Sequence, residues 1–174
     1  SVIGQTSSVT LVGGYDLIRG YMVADAADEA DDAIVASLPT ASQVSFTVPS
    51  GFNTSGNLAA TKASLKAMGF TDLDAQFGQT DATITFNSRF AFDYDNSDGI
   101  TTSTMDFETV AAHEIGHALG FTSAVDVVDY YASRGQSVTF SPEVLDLFRF
   151  ADGTAADPST VSQFTSFPRE LRPF

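Results

Sequence analysis

The chain has 174 residues, 43% hydrophobic and 17% charged, a composition that folds around a core and excludes a disordered segment. Eight Lys and Arg stand against 22 Asp and Glu, and the net charge of −14 excludes nucleic-acid binding and polybasic attachment to anionic lipid. The absence of Cys excludes a disulfide framework and thiolate chemistry, and no run reaches the ~20 apolar residues of a membrane-spanning helix.

Residues 1–14 predict a loop with one short strand, ended by Gly13-Gly14. From Tyr15 to Ser37 the spacing of Ile18, Met22, Val23, Ala30, Ile34 and Val35 is helical. The acidic stretch inside it divides it in two, with an N-cap at Asp28 and a solvated face of Asp25, Asp28, Asp31 and Asp32. Val44–Val48 alternates as a half-buried strand. Asn57–Met68 predicts a helix that buries Leu58, Leu65 and Met68 and ends at Gly69. Two strands follow, Asp81–Asn87 and Arg89–Asp95, and then a turn at Asp98-Gly99. Ser103-Thr-Met-Asp106 has the capping-box pattern, so a helix begins near Asp106 and runs to Leu119, where Gly120 stops it. After a long loop, Ser141-Pro142-Glu143 opens a short helix, with Ser141 as its cap. The tail is rich in Ser, Thr and Pro, and its phenylalanines (with Phe140, Phe148 and Phe150 before them) are expected to build core. This order of helices, strands and a motif-bearing helix is that of an α+β domain.

The motif is His113-Glu-Ile-Gly-His117-Ala-Leu-Gly120. Two His at i and i+4 stack on one helix face, where both imidazoles can bind one Zn²⁺. They are the only two His of the chain. Glu114 is turned by about 100° from His113, too far round to ligate and near enough to act as general base on a metal-bound water. At the same pitch Phe107, Ala111, Ile115, Ala118 and Leu119 share a sector expected to face the core, opposite Asp106, Val110, His113 and His117.

This segment resembles the zincin metallopeptidases, and Gly120 makes it similar to their metzincin branch. The stretch from Tyr15 to Phe150, with ATITFNSRFAFDYDNSDGI before the motif and SPEVLDLFRF after it, resembles secreted bacterial metalloproteases that often carry a PEP-CTERM sorting tail. The resemblance implies one zincin-like domain over 1–174, a mixed twisted sheet above the active-site helix, and the start of a lower subdomain at 141–174. It also implies zinc on His113 and His117, Glu114 as catalytic base and a polypeptide substrate bound along an edge strand. A chain that opens at Ser1 reads as a processed product or a piece of a longer one, and zero Cys with high acidity fits bacterial secretion.

Where metzincins place their third His this chain has Ser123, and Met22, Met68 and Met105 all precede the motif, so there is no downstream Met-turn. Three explanations stand. The third His lies beyond Phe174, as after a leishmanolysin-like insertion; or a carboxylate among Asp126, Asp129, Glu143 and Asp146 completes the site; or the pair is a remnant. The rival function is a non-enzymatic surface or assembly protein that retains the scaffold. Asp93-Tyr-Asp-Asn-Ser-Asp98-Gly99 resembles a Ca²⁺ loop whose Gly is displaced by one, and a simple Asp-Gly turn is the other reading.

Overall fold

A long extended run near the N-terminus organises the molecule, which is a mixed α/β domain with small sheets. The computed structural model describes residues 2–28, 30–152 and 158–173. In chain order it holds β1 (Gly4–Ser8), β2 (Thr10–Gly14), α1 (Tyr15–Asp25) and 3₁₀ segments Ala26–Asp28 and Ala30–Ser37. Then come β3 (Phe46–Thr47), β4 (Asn53–Thr54), β5 (Asn57–Thr61), α2 (Lys62–Ala67), α3 (Leu73–Phe77), β6 (Ala82–Phe86), β7 (Phe92–Asp93) and β8 (Met105–Asp106). The motif helix is α4 (Phe107–Ala118), followed by α5 (Val125–Ala132), β9 (Thr139–Phe140), a 3₁₀ turn at Val144–Phe148, α6 (Val161–Ser166) and β10 (Arg169–Glu170).

The N-terminal run is strand on both sides of Val9, not a loop with a single strand. β1 pairs antiparallel with β6, Gly4 opposite Phe86, and β2 pairs antiparallel with β5, Thr10 opposite Thr61. Val9 joins the two ladders, donating to the Asp81 carbonyl (2.8 Å) and accepting from the Lys62 N–H (2.7 Å). The N–H and C=O of one strand residue point to the same edge, so β6 and β5 lie end to end along one edge of the run. Gly13-Gly14 ends the strand as expected, paired up to Gly14, and a Cβ on Gly13 would meet Ile18 Cδ1 at 3.2 Å.

The helix expected over Asn57–Met68 is half strand. Leu58, Ala59, Ala60 and Thr61 are all buried, which suits a strand covered on both faces, and only Lys62–Ala67 is helical. Thr61 makes the switch, its Oγ1 accepting from the Ser64 N–H (3.2 Å) as N-cap of α2. Of Arg89–Asp95 only Phe92–Asp93 pairs, parallel to β8. The loop expected after the motif contains α5, which buries Val128 and packs Val125 and Tyr131 on the core beside it, while the equally apolar Val127 and Tyr130 are exposed and blur the periodic signal.

One core cluster gathers Tyr15, Ile18, Leu38, Leu58, Leu147 and Phe164; a second holds Phe52, Ala124, Val128, Phe140 and Leu171. Leu147 and Phe164 join the first of these and Leu171 the second. β10 pairs parallel with β3, and fully buried Arg169 donates from Nε to the Leu147 carbonyl (2.8 Å). Phe140 and Phe164 are core as expected, but Phe148 is exposed. The side chains of Asp28, Asp31 and Asp32, expected as a cap and a solvated face, lie outside the described ones. Among the described residues no helix is long and apolar enough to cross a membrane.

Candidate metal centre

α4 begins and ends on side-chain and glycine chemistry. Asp106 is its N-cap, accepting from the Glu108 and Thr109 N–H groups (both 3.2 Å), while the Ser103 expected to cap it sits outside at φ +69°. A hydrogen bond from the Thr109 hydroxyl, helped by these backbone donors, holds the Asp106 carboxyl below its usual range. At the other end Gly120 takes φ +101°, letting Phe121 N–H reach the Gly116 carbonyl (2.9 Å) and Gly120 N–H reach that of His117 (3.2 Å).

That C-terminal turn has a chemical consequence. It brings the Phe121 carbonyl to 2.9 Å from His117 Nδ1, which fixes Nδ1 as the protonated nitrogen and turns the lone pair of Nε2 outward. His113 Nε2 lies 3.0 Å from His117 Nε2. Two ligands on a tetrahedral zinc at ~2.0–2.1 Å stand roughly 3.3–3.4 Å apart, so the pair fits the ion after an opening of a few tenths of an ångström. His113 is exposed and His117 half-buried, and both are open to an incoming ion.

The phase of α4 differs from the expectation. Ile115 is 48% exposed and Leu119 61%, whereas Glu114, at 5%, is the one fully buried residue of the helix. The face against the strands is Phe107, Val110, Ala111, Glu114 and Ala118, rotated by roughly 50° from the apolar sector towards the histidines. The cause lies in β1, which presents small and polar residues to the helix. Thr6 Oγ1 donates to Glu114 Oε2 (2.7 Å) and to its carbonyl (2.8 Å), and Ser8 Oγ donates to the His117 carbonyl (3.3 Å). Phe107 packs on Phe86 of β6, ring centroids 4.8 Å apart. A β1 residue with no side chain gives the carboxylate its room, since a Cβ on Gly4 would lie 2.7 Å from Glu114 Oε1. Gly4→Val is accordingly expected to displace Glu114 or the strand and to cost about 1–3 kcal/mol, read by urea unfolding. An unchanged midpoint would show that the strand gives way freely.

The structure uses the four candidate carboxylates differently. Asp146 is fully buried and accepts from Ser123 Oγ (2.6 Å), Ala124 N–H (3.1 Å) and Glu143 N–H (2.7 Å). Burial pushes its carboxyl up against those donors. Glu143, also pushed up by burial and by the nearby Asp146 and Asp126 charges, takes the Thr122 hydroxyl and is itself the N-cap position of the 3₁₀ turn expected to be capped by Ser141. Ser123, where a metzincin His would stand, thus serves to tie the loop after α4 to that turn. Asp129 is exposed on α5, and Asp126, exposed one turn earlier, lines a cavity of about 400 Å³ shared with His117. Among the described residues no three His, Cys, Asp or Glu gather as a metal-binding group. The Asp93–Gly99 segment closes on itself: Asp93 accepts from the Asp95 and Thr101 N–H groups (3.1 and 2.8 Å), and Gly99 turns at φ +97°. Comparison with family models, with curated proteins and with solved structures finds nothing that matches the chain.

Proposed function

We propose that the chain is a zinc-dependent endopeptidase domain of zincin type, exported by a bacterium and acting on polypeptides. One observation carries the reading: two imidazole Nε2 atoms converge at 3.0 Å on one helix face, one of them aimed by the Phe121 carbonyl, beside a buried carboxylate. His113 and His117 would hold the ion, which supplies Lewis-acid polarisation of the scissile carbonyl and a more acidic bound water. Glu114 would accept a proton as general base and return it to the leaving amine. Thr6, donating to Glu114 Oε2, keeps one carboxylate oxygen oriented, and Gly4 lets the group lie under β1.

The test begins with metal content. Purified protein dialysed against trace zinc is expected to retain about one ion per chain, and His113→Ala or His117→Ala to lose it. Zinc retained by both variants would place the metal elsewhere and end the assignment. The second reading, a surface or assembly protein on the same scaffold, draws on the lack of a three-donor group among the described residues. Zinc on the histidines without proteolysis would favour it.

A further inference from the structure

We propose that the cavity beside His117 receives a Lys or Arg side chain of the polypeptide and that Asp126 binds its cationic head; this rests on the peptidase reading above. The cavity, about 400 Å³ and open to solvent, has room for one long side chain, and it shares His117 with the histidine pair. Phe121, Leu145 and Phe148 line it and are exposed, so they offer an apolar path for an aliphatic stem. Its charged lining is Asp126, Asp146 and Arg149.

These charges are not equivalent. Asp146 is committed to three donors at the back of the site, and the Arg149 charge lies close enough to favour its ionised form. Arg149 is also anchored, its Nε donating to the Glu170 carbonyl at 2.8 Å. Asp126 stands exposed in the first turn of α5, and its carboxylate has no hydrogen-bond or ion-pair partner among the described residues. In the lining two carboxylates, Asp126 and Asp146, stand against one guanidinium. The remaining field is negative, like that of the whole chain at −14, and it repels an acidic side chain. A short apolar side chain would leave Asp126 unused, whereas a long cationic one satisfies both walls and head.

Binding is measured by fluorescence anisotropy of metal-free protein with two dye-labelled peptides that differ only in a central Lys or norleucine. The Lys peptide is expected to bind about tenfold tighter, the advantage of one ~1.4 kcal/mol charge contact. Asp126→Asn should abolish that preference, while Asp129→Asn, with the same change of net charge outside the cavity, should keep it. Equal losses in the two variants would reduce the effect to overall charge and overturn the inference, as would equal binding of the two peptides. Zinc-loaded protein is then offered both peptides for cleavage. Asp126-dependent binding without any cleavage leaves the pocket standing and removes the peptidase reading. Cleavage with no Asp126 dependence in binding does the reverse.

Discussion

Glu114→Gln is expected to leave zinc content unchanged and to lower proteolysis by about 10²–10⁴-fold, the usual weight of a positioned general base. The substitution preserves size and leaves a carbonyl to accept the Thr6 hydroxyl, which now donates to Oε2 at 2.7 Å. It removes the carboxylate that the proposed reading uses as base and keeps the side chain in its buried place against β1. The separation of effects matters, because a variant that merely unfolded would lose zinc as well. Undiminished turnover of a casein-type substrate, with zinc still bound, would assign the base to another residue.

The second large effect lies behind the site. Asp146→Ala leaves Ser123 Oγ, Ala124 N–H and Glu143 N–H without their acceptor in a buried position. The buried Ala124 N–H left unpaired costs roughly 1–3 kcal/mol and the two half-buried donors less, so the expected loss is about 2–4 kcal/mol in urea unfolding. A loss under about 0.5 kcal/mol would mean that the loop after α4 is held by packing instead.

Asp146 also carries a pH signature. Burial raises its folded pKa above the unfolded value of 3.8, and Glu143 is raised from 4.5 in the same way. Between unfolded and folded values the native state binds more protons, so their contribution to stability is present in acid and falls as pH rises through that window. Asp93, Asp95 and Asp106 act oppositely. Their hydrogen bonds lower the folded values, so their contribution is present above the unfolded values and lost as pH falls through the folded ones. Asp146→Asn deletes one term of the first kind, and its stability should rise with pH more steeply than that of the native chain in the mildly acid range. Parallel curves of urea midpoint against pH would contradict the buried, proton-binding carboxyl.

The sequence by itself determined what depends on local chemistry. α4 starts at Asp106 and stops at Gly120 because a cap acceptor and a positive-φ glycine act within a few residues of their targets. The i, i+4 pitch likewise sets His113 beside His117, and β6 follows from the alternation of its residues. Tertiary structure decided which side of α4 is buried. Apolar counting selects Ile115 and Leu119, but the partner strand brings Gly4, Thr6 and Ser8, which accept a carboxylate better than a branched alkyl group. It also turned 57–61 into strand, because Val9 and the residues after it supply a ladder that helical spacing within that segment cannot reveal. And it converted Ser123 and Asp146 from a candidate ligand position and a candidate ligand into a clamp, through contacts between residues 23 apart that no local pattern encodes.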